Sequence, residues 1–112
     1  MEKIVRQNML FDFYGELLTK HQQDVYRDAV FNDMSLAEVA EEYGISRQAA
    51  HDLIRRCDRL LNAYEEKLHM IDRFSDMKDK LSDLNKIVEE LDGEEADKLK
   101  ALVNDINEII NR

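Results

Sequence analysis

Only Gly44-Ile45-Ser46 separates two amphipathic helical segments of this chain, and a link that short forces a sharp angle between them. The upstream segment opens at Ser35, and Glu38 stands three residues on, in the register of a capping box. Its inner face is Leu36, Val39, Ala40 and Tyr43, and Gly44 is placed to end it in the left-handed conformation. Ser46 then caps a second helix whose apolar stripe, Ala50, Leu53, Ile54, Cys57, Leu60, Leu61, Tyr64, Leu68 and Ile71, continues to about Arg73. Ala40 is small where the two helices cross, Ile45 plugs the space between them, and Ala50 and Leu53 bury the second against the first. These features describe a helix-turn-helix over Ser35–Cys57, the element that lays its second helix into the major groove of DNA.

The flanking chain follows the same period. Proline is absent and glycine occurs three times, so few residues stop a helix and the fold is expected to be all-α. Ile4, Val5, Met9, Leu10, Phe13, Leu17 and Leu18 form the apolar face of a first helix. Thr19, with Gln22 in capping-box register, opens a second from about Lys20 to Phe31, and Asn32-Asp33-Met34 is a polar turn. Beyond a kink or restart at Ser75, Phe74, Met77, Leu81, Leu84, Val88 and Leu91 alternate at spacings of three and four, the seam a helix offers to another helix. Asp92-Gly93 is a turn, and a last helix presents Leu99, Leu102, Val103, Ile106, Ile109 and Ile110. The expected organisation is a helix-turn-helix domain over 1–74, with a long recognition helix, and an acidic helical extension over 75–112. Heptads allow that extension to fold as a hairpin or coiled coil on itself or to pack on another chain.

The net charge of −9 argues against indiscriminate binding to nucleic acid, where Lys and Arg dominate affinity. Within residues 46–59 the sign reverses: Arg47, Arg55, Arg56 and Arg59 face only Asp52 and Asp58. On a recognition helix, Arg47 and Gln48 are the candidate base readers, since Arg suits guanine and Gln suits adenine. Ser46, His51, Arg55 and Arg56 are candidates for phosphates, which position without specifying. Lys20 and Arg27 are candidates for the flanking backbone. Asp52, in the middle of the reading face, opposes DNA.

No catalytic, metal or cofactor site is expected. There is no Gly-rich phosphate loop, His21, His51 and His69 are scattered, and Glu65 or Glu66 beside His69 reads as an ordinary surface pairing. Cys57 falls on the apolar stripe, where a thiol is a small hydrophobe. Tyr14, Tyr26, Tyr43 and Tyr64 are expected at the core rim with wet hydroxyls, and Met1, Met9, Met34, Met70 and Met77 in the core or filling gaps. A single cysteine suits a reducing cytoplasm. The polar groups in MEKIVRQNMLFDF do not suit a signal peptide, and no apolar run approaches the roughly 20 residues of a membrane span.

The stretch LLTKHQQDVYRDAVFNDMSLAEVAEEYGISRQAAHDLIRRCDRLL resembles region four of bacterial sigma factors, a promoter-reading domain. With the flanking DFYGELLTKHQ and YEEKLHM, residues 4–74 resemble the YlxM family of small helix-turn-helix proteins. That resemblance implies a sigma-region-four-like core. Because the family's genes lie beside that of the signal recognition particle GTPase, it also implies a regulatory role in that pathway. Family members often carry a larger β-branched residue where this chain has Ala50, which implies slightly looser packing. Two functions follow as expectations. One is a DNA-binding regulator, dimeric through its heptad tail. The alternative is an acidic adaptor that binds the particle's GTPase or RNA through Asp79, Asp83, Glu89, Glu90, Asp92, Glu94, Glu95 and Asp97.

Overall fold

The structure, a computed structural model, describes residues 2–111, so Met1 and Arg112 lie outside the described residues. Six α-helices run in order: α1 (Lys3–Tyr14), α2 (Lys20–Tyr26), α3 (Leu36–Tyr43), α4 (Arg47–Leu68), α5 (Met70–Glu89) and α6 (Glu94–Ile110). No strand occurs among the described residues, and the fold is all-α. By its internal packing the chain divides into two compact units, one ending at Ile71 and the other beginning at Asp72. None of the helices is long and apolar enough to cross a membrane.

Local signals set most of the helix starts. The Thr19 hydroxyl accepts from the Gln22 N–H at 3.1 Å while the Gln22 side chain accepts from the Thr19 N–H at 2.9 Å. Ser35 and Glu38 repeat this exchange at 3.1 Å in both directions, so two donors at each helix start are satisfied. Gly44 sits at φ 64°, ψ 36°, where a side chain would meet the following carbonyl, and Ser46 accepts from Ala49 N–H to start α4. α2 departs from the expected regular helix. Residues Arg27–Phe31 continue it as a single π-helical turn, closed by the Asn32 N–H on the Arg27 carbonyl at 3.0 Å. The wider turn directs Val30 and Phe31 toward one core and Ala29 toward another.

The first unit holds both cores. Val25, Val39 and fully buried Ala50 join α2, α3 and α4, with Ile45 and Leu53 packed around them. Leu10, Tyr14, Leu18, Tyr26, Cys57 and Leu61 join α1 and α2 to α4, with Phe11 stacked on Tyr26 at 5.5 Å. Burial pushes the Cys57 thiol up to about 11, so it stays protonated and packs as an apolar group.

Several expectations are corrected. Tyr14 and Tyr26 are not at the rim: both are buried, with their hydroxyls donated to carboxylates, Tyr14 to Glu65 at 2.6 Å and Tyr26 to Asp58 at 2.6 Å. Burial, reinforced by Asp58, raises the Tyr26 hydroxyl far above the ordinary tyrosine range. Glu65 is accordingly buried and not on the surface. Ile4 and Val5, in the first turn of α1, are exposed, and so is Leu17, because α1 ends at Tyr14 and the 3₁₀ turn Gly15–Leu17 swings it off the helical stripe. Met9 and Met34 pack against the cores, whereas Met70 and Met77 are exposed.

The long helix breaks at His69 (φ 54°, ψ 29°), earlier than the expected Arg73. No proline or glycine accounts for this, and the reason is tertiary. The first turn of α5 needs acceptors for its N–H groups, and the Glu65 carboxylate takes Ile71 N–H at 2.9 Å while the Tyr14 hydroxyl takes Met70 N–H at 3.1 Å.

One surface pair carries a pH dependence. The Tyr43 hydroxyl, then the Asn32 amide, donates to Asp28 and holds its carboxyl below the usual range, while Asp28 pushes Tyr43 up to about 12. A lowered acid stabilises the fold above its unfolded pKa of about 4, and that contribution disappears as pH falls through the lowered folded value. A raised tyrosine stabilises below about pH 10 and is lost as pH climbs through its folded value. Asp28→Asn is therefore expected to lower Tm at neutral pH and to flatten the acid limb below about pH 4. Thermal melts by circular dichroism from acid to alkali check this, and an unchanged acid limb counts against it.

Candidate nucleic-acid interface

Burial of Ala50, Cys57 and Leu61 decides which way α4 faces, because residues at seven- and four-residue spacings share one side of a helix. Gln48, His51, Asp52, Arg55 and Arg59 fall on the opposite side, and all are exposed. Ser46 and Arg47, at the exposed start of the helix, complete the set. Arg56 follows Asp52 by four residues, which at about 100° per residue puts it about 40° further round the same exposed side. Arg47 and Arg56 are half a turn apart, so they border the face on opposite flanks, and all six candidate residues are exposed around it.

Hydrogen bonds change the electrostatics that the sequence suggests. Asp58 is turned inward, accepting from Tyr26 and from the Gln7 amide at 3.1 Å, so its charge is committed to the join between α1 and α4. Asp52 remains exposed on the face. It accepts from the Gln48 amide at 2.9 Å, and His51 Nδ1 stands 3.8 Å from the same oxygen. Gln48 is thus held by an acid on the same face. Arg47, Arg55 and Arg56 make no salt bridge among the described residues. Lys20 and Arg27 share Asp24, at 2.7 and 3.4 Å, and Arg27 also lies over the Phe11 ring.

Two cations outside the motif border the same helix. His51 and Arg55 form one wall of an open groove of 610 Å³ whose opposite wall includes Lys3 and Gln7 of α1. Beside it, Arg6 donates to the Asn62 side chain at 3.1 Å. Lys3 and Arg6 were not evident as site residues from sequence, because only the packing of α1 on α4 brings them there. Chemically the surface offers planar and point-charge donors to anions and base edges. Its histidine and carboxylates are spread over an open helix face, with no enclosing cleft.

Comparison with known proteins agrees with this geometry. Residues 1–107 match the family UPF0122, described as "Putative helix-turn-helix protein, YlxM / p13 like". The chain is similar to the UPF0122 protein YlxM of Bacillus subtilis, 37% identical over 109 residues, covering 97% of each chain. A Bacillus velezensis relative is 39% identical over the same length and coverage, and one from Shouchella clausii is 41% identical over 88 residues, covering 79% of this chain and 81% of its own. A match through both units, and not only through the helix-turn-helix, means that this chain belongs to the UPF0122 family of YlxM-like helix-turn-helix proteins.

Proposed function

We propose that this chain is a non-enzymatic, cytoplasmic regulator that binds DNA as a homodimer. In this reading α4 lies in the major groove, Arg47 and Gln48 read bases, and Ser46, His51 and Arg55 hold phosphates, with Arg56 reaching the backbone from the flank. Residues 1–74 form the reading domain and 75–112 the pairing extension. The observation that carries the reading is the exposed polar face of α4, on which Asp58 is withdrawn and the arginines are unpaired. Selection from randomised duplexes at low salt tests it. An enriched sequence is expected, and recovery of no preferred sequence removes the DNA reading.

A second reading has its own support. Asp52 occupies Gln48, and the acids from Asp79 to Asp97 are all exposed. An acidic helical surface suits a basic partner through complementary potentials, here the signal recognition particle GTPase, with the particle RNA held through that protein. Affinity capture with and without nuclease separates the two readings. In the adaptor reading, GTPase or particle RNA is retained by the full chain and lost when residues 76–112 are removed. Retention by the truncated protein counts against it.

A further inference from the structure

The second unit uses one apolar stripe on itself and keeps another in reserve. Leu81 and Val88 of α5 meet Val103 of α6, with Ile110 packed against them, so the two helices form an antiparallel hairpin closed by the turn after Glu90. Beside that seam the apolar pattern continues. Met77 and Leu84 sit progressively to one side of the Leu81–Val88 line, and both are exposed, as is Leu91 just beyond the helix. Leu99 and Ile106 are displaced in the same rotational sense from Val103. Both helices are right-handed and run in opposite directions, so equal rotations bring the two stripes to the same side of the hairpin. A shared depression of 340 Å³, lined by Met77, Leu81, Leu84, Ile106 and Ile110, lies on that side. Ile87, Leu102 and Ile109 extend the face outward and are 62%, 58% and 59% exposed.

We infer that this face docks on the same face of a second copy, giving a four-helix bundle of two hairpins. The inference rests on the homodimer reading above and not on DNA binding. Two properties select a copy of this chain over another partner. The exposed aliphatic side chains present on the order of 700 Å², close to the roughly 800 Å² that each partner gives to a standard-size interface. The edges of the face carry mixed charge: Asp76, Lys80 and Asp83 along α5, and Glu95, Lys98 and Asp105 along α6. Each edge carries one lysine between two acids, so on a facing copy each lysine has a carboxylate to meet. Heptad seams flanked by such charges are how helices choose a partner. The tail therefore packs in cis through one stripe and pairs in trans through the next.

Sedimentation equilibrium on the full chain from about 1 to 100 µM tests this. The expected mass is twice the 13.2 kDa of one chain. Leu84→Glu and Ile106→Glu, both at side chains already 42% exposed, are expected to weaken pairing by at least about 100-fold with unchanged helical circular dichroism. Ser82→Glu, on the other side of α5, is expected to leave the dimer intact. If the two glutamate variants lose helicity, Lys80→Glu decides. It makes the α5 edge wholly acidic, and pairing is expected to weaken about tenfold at low salt and recover as salt screens the repulsion. A dimer insensitive to these changes overturns this face as the seam while the homodimer reading stands. A chain monomeric throughout overturns both and leaves the face to a foreign helix.

Discussion

Arg47→Ala combined with Gln48→Ala is expected to lower affinity for the preferred duplex about 100-fold and to remove most of its sequence preference. Each bidentate side chain–base pair contributes about 1–3 kcal/mol of discrimination, and these two residues lead the exposed face of α4. The phosphate candidates behave differently. Arg55→Ala is expected to weaken all duplexes alike and to reduce the salt slope by about 1, because a phosphate contact carries charge but no sequence information. Asp52→Ala acts in the opposite direction: it removes a repelling carboxylate and frees the Gln48 amide, so affinity should rise for every duplex. Titrations of one preferred and one scrambled duplex at several salt concentrations separate the three effects. If the double variant keeps its preference, α4 does not read bases through these residues.

Glu65→Ala is expected to destabilise the first unit by about 3 kcal/mol, since it strands the buried Tyr14 hydroxyl and the Ile71 N–H together. The cost is large because both donors lose their acceptor in a place that is buried from water. The same loss removes support for the left-handed turn at His69, which costs an L-residue about 1–2 kcal/mol on its own. Tyrosine fluorescence during urea unfolding reports on this unit selectively, because the four tyrosines all precede Ile71 and tryptophan is absent. Exposed Glu66→Ala serves as the comparison, with an expected change within about 0.5 kcal/mol. A Glu65→Ala loss no larger than that of Glu66→Ala rejects the role assigned to the carboxylate. A double-mutant cycle with Tyr14→Phe should return a coupling of about 1 kcal/mol or more.

The two variants bear on different links of the same chain of causes. Glu65 and Asp58 anchor α1 against α4, and α1 in turn brings Lys3 and Arg6 beside α4. Loss of Glu65 should therefore reach the interface only through stability, with affinity preserved in whatever fraction stays folded. Loss of Arg47 and Gln48 should leave the urea midpoint nearly unchanged.

What the sequence by itself determined is local. The capping boxes at Thr19 and Ser35, the left-handed Gly44 and the Ser46 cap each depend on groups a few residues apart, so residue type and spacing are enough to specify them. The helix-turn-helix and the exposure of Ser46, Arg47, Gln48, His51 and Arg55 follow from those signals and a helical period. Only the tertiary structure decided the rest. Asp52 and Asp58 look alike in sequence, yet one stays on the face and the other is drawn inward by a tyrosine 32 residues away. The turn at His69 needs Tyr14, 51 residues from Glu65, and no local rule for helix ends contains that partner. In the tail, heptad spacing shows that apolar stripes exist. How much of each is used within the chain is set by the turn that brings α6 back on α5, and the Ser35–Cys57 motif is the part for which neighbours alone suffice.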